Sequence, residues 1–149
     1  MKESVLILIK PDGMRKKIIG EVINQFLASD LKLTGLSTVQ VQESLAQKHY
    51  QHLKKKFFFK QIVGYLCGKL HDGEPVIAMV LTGEESIAKC RKIAGATNPE
   101  DADPISIRGK YGRVTTKGLY ENLVHVSSSK AEARREIKLW FKKEALIKA

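Results

Sequence analysis

Short apolar runs alternate along the chain with longer stretches in which apolar residues recur at helical spacing. Short runs that are continuously apolar, or loosely alternating, and rich in β-branched residues are typical of β-strands. The pattern therefore predicts four strands, which are Val5–Lys10, Lys32–Val41, Pro75–Leu81 and a short one containing Leu123, Val124 and Val126.

The stretches with helical spacing lie between these strands, and their apolar residues fall on one face of a helix. The predicted helices are Ile18–Ser29, Ser44–Leu53, a segment containing Ile62, Val63, Leu66 and Leu70, then Gly83–Ala94, and a C-terminal helix from Ser129 to about Leu146. Pro11–Gly13 and His71–Glu74 have the composition of turns. Gly95–Thr116 is rich in Gly, Pro, Asp and Arg and has little periodicity, and loops of this length are usually functional or disordered.

The order of these elements predicts the fold class. Four strands interleaved with helices on one face of a mostly antiparallel sheet fit a ferredoxin-like α+β sandwich. The length of 149 residues is enough for one domain with a real core, so residues 1–149 are expected to form a single domain. A doubly wound parallel sheet is the competing interpretation, but neither Gly-x-Gly-x-x-Gly nor Gly-x-x-x-x-Gly-Lys-Ser/Thr occurs in the chain.

One histidine has a position that suggests chemistry. His125 lies between an apolar strand and a run of three serines within Asn122–Ser129. Ser129 and Glu132 have the spacing of a capping box, so a helix is predicted to begin just after the strand. The free amides and the positive dipole end of that helix attract anions, and a histidine there can attack a phosphoryl group. The alternative is a partly buried strand histidine with a structural role.

The composition bears on the partners of the protein and on its cellular compartment. Hydrophobic residues make up 43% of the chain and charged residues 28%, which is ordinary for a globular protein, whereas the net charge of +10 favours anionic partners. No apolar run reaches membrane-spanning length, and Met1–Val5 leads directly into a strand, so we expect no membrane association and no signal peptide. Cys67 and Cys90 lack metal-ligand spacing and are interpreted as buried thiols in a reducing, cytoplasmic compartment.

A series of short motifs runs through the chain in one order. They are Ile9-Lys10-Pro11-Asp12-Gly13, Ile19-Gly20-Glu21, His49-Tyr50, Phe58-Phe59, Pro75 to Leu81, Gly95-Ala96-Thr97-Asn98-Pro99, Ile107-Arg108-Gly109, Asn122-Leu123-Val124-His125 and Arg135-Glu136-Ile137. Each motif is weak by itself, but the whole set in this order is a specific signal. The chain resembles the nucleoside diphosphate kinase family from near its start to Phe141.

The resemblance implies a role for each matching position. It implies that His125 is the nucleophile, that Ser127 and Glu136 orient it and assist transfer, and that Tyr50 lies beside it. Lys10 is expected to reach both sugar and phosphates. The other implied nucleotide-binding residues are Phe58 under the base, Arg91, Thr97 and Arg108 on the phosphates, and Asn122 on the sugar hydroxyl.

The resemblance also implies a reaction and its partners. The terminal phosphate of a nucleoside triphosphate is expected to move to a nucleoside diphosphate by a ping-pong mechanism through a phosphohistidine on His125. Mg²⁺ is expected to arrive with the nucleotide, since the chain offers no carboxylate cage for the ion. A homo-oligomer, either a tetramer or a hexamer, is expected as well. Arginine forks and a lysine charge suit phosphate oxygens, and a phenylalanine face accepts any base, so the residue types support this chemistry independently.

The chain departs from the family pattern at a few positions. After the histidine, Val126 and Ser128 stand where the family usually has a small residue and an aspartate. The segments Lys69–Glu74 and Tyr111–Glu121 are longer than in typical members. We expect the second segment, which lies between two nucleotide-binding positions, to add nucleotide contacts or to alter the subunit interface.

Two other classes of function stay open at this point. A basic nucleic-acid-binding module is suggested by the net charge, by Lys54–Lys56 beside Phe57–Phe59, and by the basic loop from Arg108 to Arg113. A family member with a purely structural role is the third interpretation, and the retention of every matched catalytic position disfavours it. Nucleic-acid binding is therefore kept as a secondary expectation.

Overall fold

The computed structural model describes residues 1–149 and contains a four-stranded sheet and a separate two-stranded hairpin. The strands are β1 (Lys2–Ile9), β2 (Lys32–Val39), β3 (Val76–Glu84), β4 (Arg113–Val114), β5 (Tyr120–Glu121) and β6 (Val124–Val126). The main sheet has the order β2, β3, β1, β6, and each neighbouring pair is antiparallel. This topology confirms the ferredoxin-like α+β sandwich and excludes the doubly wound alternative.

Seven α-helices connect and cover the strands. They are α1 (Pro11–Arg15), α2 (Ile19–Leu27), α3 (Glu43–His49), α4 (Phe59–Leu66), α5 (Ser86–Ala94), α6 (Ile107–Tyr111) and α7 (Lys130–Trp140). Short 3₁₀ helices lie at Gln51–Leu53, Pro99–Asp101 and Lys143–Ala145. No helix combines the length and the apolar character that crossing a membrane requires.

The core lies on both faces of the sheet, so the expectation of helices on one face was incomplete. Val5, Ile7 and Ile9 of β1 pack in one hydrophobic cluster with α2 and α5. Leu6 and Leu8 point to the opposite face, where residues of α3, α4 and α7 form a second cluster. Side chains alternate between the faces of a strand, so a continuously apolar strand such as β1 requires cover on both.

Several predicted boundaries were wrong near short or capped elements. Pro11–Gly13 is the first turn of α1 rather than a free turn, because proline is well tolerated at the first position of a helix. Gly83 belongs to β3, and the following helix begins only at Ser86. The predicted loop Gly95–Thr116 contains α6, whose start is capped by Ser106 Oγ accepting from the Gly109 amide at 3.1 Å. Helices this short show no periodicity in sequence.

The C-terminal helix ends at Trp140 rather than near Leu146. The chain then turns back over β2, where the Ile147 amide donates to the Thr34 carbonyl at 2.9 Å. Ser129 caps α7 as predicted, accepting from the Glu132 amide at 3.2 Å, but the Glu132 carboxylate binds Arg135 instead of completing the capping box.

The two cysteines differ in burial. Cys90 is buried in α5, and desolvation raises the pKa of its thiol to about 12. Cys67 lies at the end of α4 and is only half-buried, so the prediction of a buried thiol was wrong for this residue. It directly follows the last residue of α4 and packs against the second core cluster.

Candidate active site

A cavity of about 770 Å³ opens beside the C-terminal end of β1 and the strand β6. That volume lies within the usual range for small-molecule sites. Nine of the ten residues that the sequence nominated line this cavity: Lys10, Tyr50, Phe58, Arg91, Thr97, Arg108, Asn122, His125 and Glu136. The tenth, Ser127, is fully buried behind Glu136. The structure thus brings the whole predicted set to one place, while the role of each residue stays a prediction.

His125 is held by a short chain of hydrogen bonds. Its Nε2 lies 3.0 Å from Glu136 Oε2, and Ser127 Oγ donates to the same oxygen at 2.6 Å. Ser127 Oγ also accepts from the Leu6 amide of β1 at 3.1 Å. Because Glu136 lies on α7 and is 2% exposed, the capped helix, the central strand and β6 together fix the orientation of the histidine ring.

A second histidine supports the first, and sequence reasoning missed it. The ring of His49 meets that of His125 edge to face at a centroid distance of 4.5 Å. Trp140 Nε1 donates to His49 Nδ1 at 3.1 Å, and His49 is 1% exposed. Tyr50 packs on His49 at a centroid distance of 4.7 Å, so the ring of His49 contacts both Tyr50 and His125. The motif His49-Tyr50 was noticed in the sequence, but only its tyrosine was given a role.

The backbone between Asn122 and Val124 makes an unusual turn. Leu123 has a φ of +68°, and the Val124 amide donates to the Asn122 carbonyl at 2.7 Å. Such a conformation is strained for a leucine and persists only where its surroundings hold it. Asp12 Oδ2 accepts from the Leu123 amide at 3.0 Å, and the Lys10 amide donates to the Leu123 carbonyl at 2.8 Å. The start of α1, including the overlooked Asp12, therefore shapes the segment that carries His125.

Asn122 is anchored on both sides of its amide group. Its Oδ1 accepts from Lys10 Nζ at 2.8 Å, and its Nδ2 donates to the Thr97 carbonyl at 2.9 Å. The side chain of Arg108 holds the main chain of the same region. Its guanidinium donates to the carbonyls of Asn122, Gly95 and Val124 at 3.3, 2.8 and 2.7 Å. Three of the five N–H donors of Arg108 are thereby engaged, which leaves two for a ligand.

The cavity has a strongly cationic floor. Burial, followed by the charge of Arg108, lowers the pKa of Lys10 to about 7. Burial, followed by the charge of Arg91, lowers the pKa of Arg108 to about 10. Burial and the nearby charges of Lys10 and Arg108 also hold the pKa of His125 well below its usual value, so its ring is neutral at pH 7. Each of these shifts is one that a bound anion would reverse.

The three consecutive phenylalanines have three different environments. Phe58 is half-buried and lines the cavity, Phe57 beside it is 98% exposed, and Phe59 packs against the second core cluster. Lys54–Lys56 is exposed, as expected of a solvated charge run. Another part of the cavity wall comes from Lys117–Tyr120. These residues lie in the segment Tyr111–Glu121, which was expected to add nucleotide contacts or to alter the subunit interface, and that expectation stays a prediction.

The side chains that could ligate a metal already make contacts within the protein. His49, His125 and Glu136 place ligand atoms within 4.8 Å of each other, but His125 is hydrogen-bonded to Glu136, and Trp140 donates to His49. The other carboxylate of the cavity, Glu132, binds Arg135. The donor set therefore does not form a resident Mg²⁺ site, which requires free oxygen ligands.

Comparison with known sequences gives a consistent result. A family model described as nucleoside diphosphate kinase matches residues 3–146. The nucleoside diphosphate kinases of Pyrococcus horikoshii and Crocosphaera subtropica are each 40% identical to this chain, over 145 and 144 residues. Both alignments cover 97% of this chain, with 88% and 91% of the respective relatives.

Solved structures agree with the sequences. A transition-state mimic of nucleoside-diphosphate kinase from Borrelia burgdorferi, with bound vanadate and ADP, superposes with a TM-score of 0.89 at 32% identity, over 99% of this chain and 92% of that one. A halophilic nucleoside diphosphate kinase from Halobacterium salinarum, in complex with CDP, gives 0.89 at 32% identity, over 100% and 93%. The chain therefore belongs to the nucleoside diphosphate kinase family of enzymes.

Proposed function

We propose that this enzyme moves the terminal phosphate of a nucleoside triphosphate to a nucleoside diphosphate through a phosphohistidine on His125. The observation that carries the proposal is the hydrogen-bonded series Ser127, Glu136, His125, which engages one ring nitrogen and leaves Nδ1 without a partner at a cationic cavity. Glu136 accepts from Ser127 and from the Nε2–H of His125, so the lone pair of the neutral ring lies on Nδ1.

Nδ1 is then the nucleophile. Its lone pair forms a bond to the terminal phosphorus of the donor while the bond from that phosphorus to the bridging oxygen breaks, and the electron pair leaves with the nucleoside diphosphate. In the second half, a terminal oxygen of the acceptor diphosphate attacks the phosphohistidine. The N–P electron pair returns to Nδ1, and the enzyme is restored without consuming water.

The cations supply what this transfer needs. Phosphoryl transfer proceeds with charge spread over the phosphoryl oxygens, so catalysis depends on positioning and on positive donors. Arg91 lines the cavity and its guanidinium makes no hydrogen bond to the protein, and Arg108 keeps two donors. We assign both to the phosphates together with Thr97. Glu136 also offsets the positive charge that His125 gains on phosphorylation.

The remaining residues are assigned to the nucleoside. We assign Lys10 and Asn122, which are hydrogen-bonded to each other, to the sugar hydroxyls and the phosphates. Phe58 offers a face on which a base of any kind can stack, which predicts broad base specificity. The relatives crystallised with ADP and with CDP, one purine and one pyrimidine nucleotide, are in keeping with this expectation.

The substrate is taken to be the Mg²⁺ complex of the nucleotide. The cavity carboxylates are engaged by Ser127, His125 and Arg135, so the ion would be held chiefly by the phosphates it arrives with. Its contribution is to neutralise part of the phosphate charge, next to the arginines.

The test is transfer of label from a triphosphate labelled at its terminal phosphate. Purified protein should acquire an acid-labile label and lose it when an unlabelled diphosphate is added, whereas His125→Ala should acquire none. His52→Ala is the matched control, because this exposed histidine borders the same cavity but is given no role. Labelling of His125→Ala at the wild-type level would refute the assignment.

A further inference from the structure

The β4–β5 hairpin, residues 113–121, has little to hold it in place. Its two strands form only two residue pairs, Arg113 with Glu121 and Val114 with Tyr120, and it does not join the main sheet. An isolated two-stranded hairpin is marginally stable in water. The hairpin nevertheless forms part of the wall of the cavity, through its turn Lys117–Tyr120.

The hairpin also has open space on its other side. A groove of about 560 Å³ separates it from α4, and Lys117 and Leu119 border both this groove and the cavity. The wall is therefore one hairpin thick at this point, and packing against α4 does not fix its position. On the β4 side the hairpin contacts the 3₁₀ helix Pro99–Asp101, so the position of β5 and the turn depends on a further contact.

A buried contact between the two extended segments of the chain provides that anchor. His71 Nε2 lies 2.7 Å from Glu121 Oε1, and the two side chains are only 4% and 8% exposed. Arg113 pairs with the other carboxylate oxygen of Glu121, across the hairpin ladder. The ring of His71 packs edge-on against Tyr65 of α4 at 5.3 Å. The turn after α4 thus holds the base of the hairpin through one carboxylate.

The contact acts on the hairpin more than on its neighbour Asn122. Glu121 directly precedes Asn122, but Asn122 is held independently by Lys10, by the Thr97 carbonyl and by Arg108. Leu119 and Tyr120, on the other side of Glu121, are tied to partners inside the hairpin, Thr115 and Val114. Loss of the contact should therefore release the hairpin wall and leave the sugar-binding asparagine in place.

We propose that His71 is a positioning residue that, through Glu121, holds the β4–β5 hairpin as the wall for the nucleotide base, opposite the stacking face of Phe58. The inference rests on the proposed function, because it requires a nucleotide in the cavity. It assigns to the turn Lys69–Glu74, which does not line the cavity, a part in the affinity for the base.

The test compares His71→Leu, which keeps the volume but removes the donor, with His71→Gln, which retains one. With ATP as donor, His71→Leu should raise KM about tenfold and leave kcat within about twofold, and His71→Gln should lie between it and wild type. With ribose 5-triphosphate, which lacks a base, the two variants should match wild type. Lys69→Ala is the control, since it removes only the exposed ion pair of the same turn with Glu43.

Other outcomes would overturn the inference. Unchanged KM for ATP in His71→Leu, a loss confined to kcat, or an equal rise in KM for the base-free triphosphate would each do so. If His71→Leu does not fold by circular dichroism, His71→Asn replaces it, because asparagine is one methylene shorter than glutamine and does not reach Glu121. Absence of label on His125 in the wild-type protein would instead contradict the proposed function. Failure of the inference on His71 and failure of the proposed function are therefore distinguishable.

Discussion

At the scale of single residues, burial shifts the pKa values of the ionisable groups in the site. Lys10, Arg108 and His125 all have a lowered pKa, and in each case burial is the first cause and a neighbouring cation the second. Glu136 responds in the opposite direction, because burial raises the pKa of a carboxyl group. A bound polyanion would stabilise the charged forms of these buried cations and reduce the repulsion between them.

Lys10 gives this idea a measurable consequence. Its pKa is about 7 in the free protein, against 10.5 for an unperturbed lysine, so at pH 8 the amine is mostly neutral. Nucleotide phosphates favour the charged form and raise the pKa, so binding of ADP at pH 8 should take up close to one proton. Above pH 7 the affinity should fall as pH rises, because binding then requires protonation.

Isothermal titration calorimetry in two buffers of different ionisation enthalpy measures this uptake. In Lys10→Met the uptake should disappear, whereas Lys16→Met, which alters an exposed lysine outside the cavity, should keep it. Binding of ADP to the wild-type protein without proton uptake at pH 8 would contradict the account of Lys10.

At the scale of elements, the long periodic segments could be predicted and the short ones could not. β1 and β3 were evident as apolar runs, and α2 and α7 as amphipathic stretches, because burial imposes a pattern on such elements. α6 has five residues and is held by a cap and by Arg108, so it leaves no periodic signal. The contact of His71 with Glu121 joins residues 50 positions apart, which only the folded chain reveals.

The candidate site shows the same division. The residues with a chemical signature, such as His125 and Arg108, were found through motifs. His49 and Asp12 were not given roles, because each acts by holding another residue: His49 packs on His125, and Asp12 accepts from the strained Leu123 backbone. Positioning of this kind depends on distances that sequence does not contain.

Phe58, which directly precedes α4, and Arg91 of α5 should contribute to different kinetic constants. The donors of Arg91 strengthen as charge spreads over the phosphoryl oxygens, so Arg91→Ala should lower kcat about a hundredfold. Because the guanidinium of Arg91 makes no hydrogen bond to the protein, stability should not change. Stacking on Phe58 is the same before and during transfer, so Phe58→Ala should raise KM instead, by an amount matching about 1–3 kcal/mol.

Steady-state kinetics with ATP and a diphosphate acceptor, together with thermal unfolding, separates the two effects. Arg91→Lys is the matched control, because it keeps a charge and loses the planar fork. Arg108→Ala is a poorer test of phosphate binding, since it also removes three hydrogen bonds to backbone carbonyls and should lower the melting temperature. If Phe58→Ala changed only kcat, the base would have to bind elsewhere.

At the scale of the whole molecule, the net charge and one edge of the main sheet suggest interactions with other molecules. The net charge of +10 includes groups that do not line the cavity, among them the exposed Lys54–Lys56, and a secondary affinity for nucleic acid stays a prediction. A cytoplasmic location also stays a prediction. Residues 1–149 are proposed to unfold as one domain, because both core clusters share β1. The other feature is the edge of the main sheet that β2 forms.

β2 is the terminal strand of that sheet, and only its beginning is covered by the C-terminal segment, through the bond from Ile147 to Thr34. Further along the same strand, Leu36 is 55% exposed. An uncovered edge strand with an exposed apolar side chain is an unfavourable surface for a monomer and a natural place for a second copy to pair. Together with family membership, this supports the expectation of a homo-oligomer, a tetramer or a hexamer.

Light scattering coupled to size-exclusion chromatography, at micromolar concentration, should give a mass of several times 16.7 kDa. Leu36→Glu places a charge on the open part of the β2 edge and should reduce that mass, whereas Lys32→Glu, at the covered start of the strand, should not. A wild-type mass of one subunit would contradict the oligomer. An unchanged mass for Leu36→Glu would move the interface away from β2, and the extended segment Tyr111–Glu121 with its exposed Tyr120 would be the next surface to test.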